Sequence, residues 1–310
     1  MNNWKGLGGV FLDLICDISL WAPNGGIALA DLPKILISTR FSFFGSSGWK
    51  SEFSADPEML FEQGRLEQRF WLFENITLAS LVAQADKDFH YFVLSSRLMP
   101  DWAKQKLRTS CDSYLGRGNF TIKYPRGGLA RKHLRVMLSE LAGDAPVAQV
   151  VLDDDDGLSC DFVARLKTQL SALTSVQLPH FVTFPNGYAL GLRENSTALW
   201  QHSYRFINLG LTMIGSTDQK NVFGIDHIRA PERLGFTNDS SMPMFVRTLS
   251  NVNDSRVTVG QRWVDVPEWA KTDDIKSRFA FLLTPEFQEY HKLSATQSVG
   301  VKTYSDVEID

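Results

Sequence analysis

Val147-Ala148-Gln149-Val150-Val151-Leu152-Asp153-Asp154-Asp155-Asp156 is the stretch that decides how this chain is read. Its first six residues are nearly all apolar and rich in valine, the pattern of a strand buried on both faces. Four consecutive aspartates follow. In an open α/β sheet, ligands bind outside the carboxyl ends of the strands. Carboxylates a few ångströms apart raise one another's pKa. A hard divalent cation relieves that repulsion and prefers oxygen ligands. The run therefore points to a metal, and through it to a phosphate. One or two aspartates ahead of a helix are accounted for by the helix dipole; four in a row are not. An EF-hand is excluded, because Gly157 at the sixth loop position would put Leu152 at the first and Val163 at the twelfth.

Upstream of this stretch, apolar runs alternate with helical periodicity. Residues 34–39 (KILIST) predict a first strand and residues 40–57 a loop. Residues 66–85 predict a helix with Leu66, Phe70, Phe73, Leu78, Leu81 and Val82 on its core face. A strand is expected over 89–95, a helix over 100–107 opened by Pro100, and a strand over 120–124. A helix over 129–141 carries Leu134, Leu138 and Leu141, and 147–152 is the fourth strand. Ser159 is the expected N-cap of a helix with Phe162, Val163, Leu166, Leu170 and Leu173 as its stripe. This β-α-β-α-β-α-β order predicts an α/β, Rossmann-type, mainly parallel sheet flanked by helices.

The second half reads as mixed structure. Phe181 to Leu190 predicts a hairpin turning at Asn186-Gly187, since Asn-Gly suits a type I′ turn. Further strands are expected over 204–211 and 244–249. One domain is expected over 34–295, with a nucleotide-binding half (34–175) and an acceptor half (176–295). Residues 1–33 read as an extension and 296–310 as a polar tail.

Composition narrows the function. Thirty-five acids against 32 bases, with a net charge of −3, argue against a general nucleic-acid binder. Three widely spaced cysteines, Cys16, Cys111 and Cys160, match no metal-site spacing and suit a reduced, cytoplasmic protein. The apolar residues 9–21 are interrupted by Asp13 and Asp17 and fall short of the ~20 residues a spanning helix needs. They leave room for peripheral membrane contact only.

The acidic run fits an Asp-x-Asp site. One carboxylate holds a cation that bridges the phosphates of a nucleotide-sugar, and another meets the ribose. Around it stand Ser38-Thr39-Arg40-Phe41-Ser42, Arg69 to Glu74 with Thr77 to Leu81 and Gln84, Asp88 to Val93, Phe184 to Tyr188, Phe206 to Gly210, and Asp226-His227. With Leu152 to Gly157, these segments resemble the bacterial rhamnosyltransferase family, glycosyltransferases of the GT-A fold.

The resemblance implies sugar transfer from a nucleotide-sugar donor to a glycan or lipid-linked acceptor, with Mn2+ or Mg2+. It implies that Asp153 serves the nucleotide and Asp155 the metal. A one-residue shift along the run brings in Asp154 and Asp156 in the same roles. Arg40 and Arg69 fall near the nucleotide; Arg40 suits base stacking, phosphate or a surface salt bridge, and Arg69 suits a structural ion pair equally well. The family's late histidine has no counterpart in residues 245–250 or at Asn253. His227 is the expected substitute ligand. An inverting transfer needs a general base, for which Asp226, Asp239 and Asp254 are candidates and Asp226 is preferred.

Trp49, Trp200 and Trp263 are candidates for sugar stacking or for ordinary packing. The other histidines, 90, 133, 180, 202 and 291, read as structural. Two other classes remain open. One is a relative that binds nucleotide-sugar or glycan without turnover. The other is a nucleotidyltransferase, although Gly45-Ser46-Ser47-Gly48 is a poor phosphate loop.

Overall fold

The structure is a computed structural model and describes residues 32–46, 56–173, 175–193, 196–217, 220–250 and 263–294. The expected tail at 296–310 and all but two residues of the expected extension lie outside these, as do Trp49 and Asp254. The elements in chain order are β1 (Lys34–Arg40), α1 (Pro57–Leu60), α2 (Gln63–Leu72), a π-helical segment (Phe73–Leu78), α3 (Ala79–Val82), β2 (His90–Leu94), α4 (Asp101–Leu115), β3 (Phe120–Lys123), α5 (Ala130–Ala142), β4 (Val147–Val151), β5 (Gly157–Leu158) and α6 (Phe162–Ser171). There follow β6 (His180–Thr183), β7 (Asn186–Arg193), β8 (Ser196–Ser203), β9 (Thr212–Gly215), α7 (Arg229–Leu234), β10 (Phe236–Asn238), β11 (Phe245–Leu249), β12 (Val264–Asp265), α8 (Asp273–Arg278) and α9 (Pro285–Ser294).

Among the described residues the strands form two sheets. The larger has the order β10-β6-β9-β4-β1-β2-β3. β1 pairs in parallel with β2 on one side and β4 on the other, and β2 with β3. β9 runs antiparallel between β4 and β6. This is the expected mainly parallel sheet with a mixed C-terminal half. Helices cover both faces, so β4 is buried along its whole length. After β3 the chain returns to the far side of β1. The strand order reverses there, which opens a ligand crevice between the carboxyl ends of β1 and β4.

The helix expected over 66–85 carries the described π segment. Leu66, Phe70, Phe73, Leu78 and Leu81 are fully buried, but Val82 is 43% exposed. Val82 is the last residue of α3 and stands off the face that Leu78 and Leu81 bury. α4 runs to Leu115 rather than Leu107, because Cys111 continues its buried face until Gly116, at φ 77°, ends it. Ser159 does not cap α6. Its carbonyl accepts from Phe162 N–H, its Oγ faces Met244 Sδ, and the residues just before it form β5 against β11.

The predicted Asn-Gly hairpin is absent. β6 belongs to the large sheet, whereas Asn186 and Gly187 open β7 in the second sheet, of order β12-β8-β7-β11-β5. Gly187 is not in the positive-φ region that a type I′ turn requires. It serves a close approach instead: a Cβ there would lie 2.4 Å from the Phe245 carbonyl oxygen. The true hairpin is β7–β8, in register from Asn186↔Ser203 to Arg193↔Ser196. Residues 204–211 form no strand. They are a loop closed by Gly210 at φ 73°, where a Cβ would also meet Phe162 at 2.9 Å, and β9 begins only at Thr212.

Gly187→Ala should therefore destabilise the fold by about 1–3 kcal/mol through overpacking. Denaturant melts would show it. An unchanged midpoint would mean that β7 and β11 can separate freely.

Candidate active site

Tethers from three elements shape the acidic run into a turn. Leu152 N–H donates to Ser38 O across from β1, at 3.1 Å. Asp156 N–H donates back to Asp153 O at 3.3 Å, closing the turn. Thr77 Oγ1 donates to Asp156 O at 2.9 Å. Thr248 N–H, on β11, donates to Asp156 Oδ1 at 2.7 Å. The π segment makes the Thr77 contact compatible with the contacts of Arg69. Eight residues apart on an ideal α-helix, the two would differ in direction by about 80°. Slower winding through 73–78 brings both onto the turn.

Guanidinium groups compensate the carboxylates. Arg69, 2% exposed, donates through Nη2 to Asp154 Oδ1 and through Nη1 to Asp155 Oδ2 at 2.9 Å. Asp154 is fully buried. Arg69 and Asp154, expected at the nucleotide, are thus committed to each other, because an acid turned into the interior needs a cation beside it. Asp153 stands at the mouth of the crevice, its side chain 34% exposed. The β1–β4 register, in which Ser38 faces Val151, brings Arg40 level with it, and Arg40 Nη2 lies 3.5 Å from Asp153 Oδ1. The Arg40 guanidinium also covers the Phe223 ring at 5.0 Å. Asp156 is buried. Burial first, then Asp155 and Asp153, push its carboxyl well above the usual range, against the opposing pull of Arg247 and the Thr248 N–H.

The segment before α7 brings Asp226 and His227 toward this mouth. It is fixed by Val222 N–H donating to the buried Gln149 Oε1 and by Asn221 Nδ2 donating to Arg131 O. Burial lowers the His227 pKa. Asp226 and Asp153 act to raise it, and Arg247 and Arg40 to lower it, so the imidazole shares the electrostatic surroundings of Asp153. Asp226 Oδ1 accepts from the N–H groups of Ile228 and Arg229, fastening the start of α7. Asp155, Asp156 and His227 do not form the expected three-ligand set. Among the described residues, no three His, Cys, Asp or Glu side chains do.

Asp239 is removed from the list of bases. It takes Arg165 Nε at 2.6 Å, Gln169 Nε2 at 2.8 Å, and both the N–H and the Oγ of Ser241. His90, His133 and His180 are structural, bonded to Thr121, Gly127 O and Thr237. Residues not singled out from the sequence as site residues are Thr77, Phe223, Arg247 and Thr248. Arg247 and Thr248 had a signal: they lie in residues 245–250, the stretch that the resemblance sets against a late histidine.

The chain matches the family described as "Putative rhamnosyl transferase" over residues 34–262. It belongs to that family. The matched span contains every segment on which the resemblance rested, from Ser38 to His227. No curated protein matches the chain. Among solved structures, S. aureus TarS is similar at a TM-score of 0.34 and 12% identity, over 70% of this chain and 36% of the TarS chain. The chain thus spans about a third of that protein. Among the described residues of this rhamnosyl transferase family member, no helix is long and apolar enough to cross a membrane.

Two stability predictions follow from the ion pairs. Arg69→Met leaves Asp154 buried without a cation and should cost about 3–5 kcal/mol, measured by urea titration. A cost under ~1 kcal/mol would mean the turn relaxes to solvent. Asp239 is the milder case. Burial opposes its ionisation, but Arg165 and Ser241 outweigh it and lower the pKa from 3.8 to about 2. A depressed carboxylate stabilises the fold above its unfolded pKa and loses that contribution as pH falls through the folded value. Asp239→Asn should therefore cost on the order of 2 kcal/mol at pH 7. The difference from wild type should shrink between about pH 4 and pH 2.

Proposed function

We propose that this protein transfers a hexosyl group, rhamnose in its family's naming, from a nucleotide-activated donor to a hydroxyl of a glycan or lipid-linked acceptor. The observation that carries this reading is Arg40 facing Asp153 in register at the carboxyl ends of β1 and β4. A guanidinium and a half-exposed carboxylate at the strand-order switch suit a nucleotide diphosphate, the first for phosphate or base and the second for ribose or metal.

A divalent cation, Mn2+ or Mg2+, fits the residues present. Asp153 Oδ1 is buried without a hydrogen bond, and Arg40 beside it is at ion-pair distance only. Such cations are commonly held by one or two carboxylates together with substrate phosphates, so a three-ligand protein cluster is not required. Asp153 and Asp155 are the proposed ligands. The bound cation would stabilise the charge that develops on the departing nucleotide diphosphate.

The chain's own residues do the rest. Arg69 and Asp154 hold the turn rigid, Arg40 orients the donor, and a base takes the acceptor proton in an inverting displacement. That base is assigned to His227 rather than Asp226. Burial keeps the imidazole unprotonated near neutral pH, whereas Asp226 Oδ1 is occupied by two backbone N–H groups. The absence of a histidine on β11 favours a second reading, a relative that binds the donor without turnover.

In thermal melts, UDP, dTDP or GDP should raise the melting temperature only with Mn2+ or Mg2+ present. Asp153→Asn should remove that increment while barely changing the ligand-free melt. No response to any nucleotide would end the glycosyltransferase reading; metal-independent binding would end the ligand role. In transfer assays with the nucleotide so identified, His227→Gln should lower kcat by about 100-fold or more, and Asp226→Asn by far less. Nucleotide binding with no transfer at all would favour the second reading.

A further inference from the structure

The second sheet presents a face that the donor site does not use. Tyr188 and Leu190 of β7 pack with Trp269, Phe279 and Phe287 on one side. Gly187, Ala189 and Gly191 point to the other side, because side chains alternate along a strand. The registers set their neighbours. Ala189 lies between Arg247 on β11 and Trp200 on β8, Gly191 lies between Leu249 and Ala198, and Gly187 faces His202.

The small residues let aromatic rings lie flat. A Cβ on Gly191 would stand 2.8 Å from Cζ3 of Trp200, so the indole rests directly on this glycine. Phe245 rests on Gly187 in the same way. Trp263 joins the group, its ring centroid 6.1 Å from Trp200 and 4.7 Å from His202. Trp200 and Trp263 are half-buried, so each keeps some surface open.

His202 distinguishes this face from ordinary packing. It is 6% exposed, between the rings of Phe245 and Trp263, and its Nδ1 is buried without a hydrogen bond to any described group. Leaving such a nitrogen unmet is costly, and phenylalanine would fill the same place without that cost. Burial, then Arg247, lowers its pKa to about 4. The neutral ring therefore offers one donor and one acceptor nitrogen.

We propose that this face is the acceptor-binding platform, where a glycan stacks its sugar rings on Trp200 and Trp263 and gives a hydroxyl to His202. Sugar rings have flat C–H faces that suit exposed indoles, and hydroxyl rims that suit an unmet imidazole nitrogen. Arg247, in the same row as Trp200, adjoins Asp156, so the platform runs continuously into the acidic turn. The inference rests on the glycosyl-transfer reading above.

The test applies the full chain to an array of oligosaccharides ending in rhamnose, glucose, galactose or N-acetylglucosamine, with affinities from saturation-transfer NMR. At least one should bind. Trp200→Ala and Trp263→Ala should each weaken it by about tenfold or more, with the nucleotide-induced melting shift retained as proof of folding. His202→Phe should melt no lower than wild type yet lose affinity, which a purely structural histidine would not do. Nucleotide binding without glycan binding, or glycan binding indifferent to all three substitutions, overturns the platform and leaves the donor reading standing. Glycan binding that depends on Trp200 without any nucleotide response supports the platform and overturns the donor reading. No response to either class overturns both.

Discussion

The guanidinium of Arg69 reaches from α2 into the turn after β4 and is shared by Asp154 and Asp155. Four adjacent acids at the end of a buried strand cannot all face water. At least one must turn inward, and an isolated carboxylate in the interior is too costly to keep ionised. Arg69 solves this for Asp154. Its two-pronged geometry also fixes the neighbouring Asp155, as a point charge would not. With those two settled, Asp153 is left at the mouth of the crevice beside Arg40. Asp156 is directed the opposite way, into the interior against β11. Each acid of the run thus has a different environment and a different task.

On the proposed function, this arrangement divides the molecule in two. The large sheet supplies the proposed donor crevice through the register of β1 and β4. The second sheet supplies Thr248 and Arg247 to the far side of the same turn, and Trp200 beyond them. Asp156 joins the two, since its backbone belongs to one sheet's loop and its carboxyl accepts from the other's strand. The proposed chemistry needs a donor and an acceptor held across a single narrow boundary, and the acidic turn is that boundary.

What could be read from the sequence was whatever depends on periodicity. β1, β2, β3 and β4 announce themselves as apolar runs, and α5 and α6 as stripes, because both faces of a parallel sheet must be covered. The acids were legible as a candidate site from their position after β4. Their partners, Arg40 and Arg69, came only through the resemblance, and which acid each meets was not legible. Arg69 looks like any helical arginine until its helix is packed, and nothing local distinguishes the buried Asp154 from the half-exposed Asp153. Asn186-Gly187 misled because the glycine is required by a neighbouring strand, a contact about sixty residues away in the chain. Residues 204–211 misled because their apolar side chains pack from a loop. In each case a long-range contact overrode a local preference.

The π segment between Arg69 and Thr77 has a consequence for how this protein can vary. A helix on a surface tolerates the loss or gain of a residue by shifting its end. Here two side chains on one helical run must both meet the same turn, and the irregular winding is what satisfies them. Deleting one residue between them would restore regular α-helical bonding and leave the two side chains seven apart, within about 20° of one another; inserting one would turn Thr77 about 100° away from Asp156 O. The irregular stretch can therefore lose a residue and keep both contacts, but it cannot gain one.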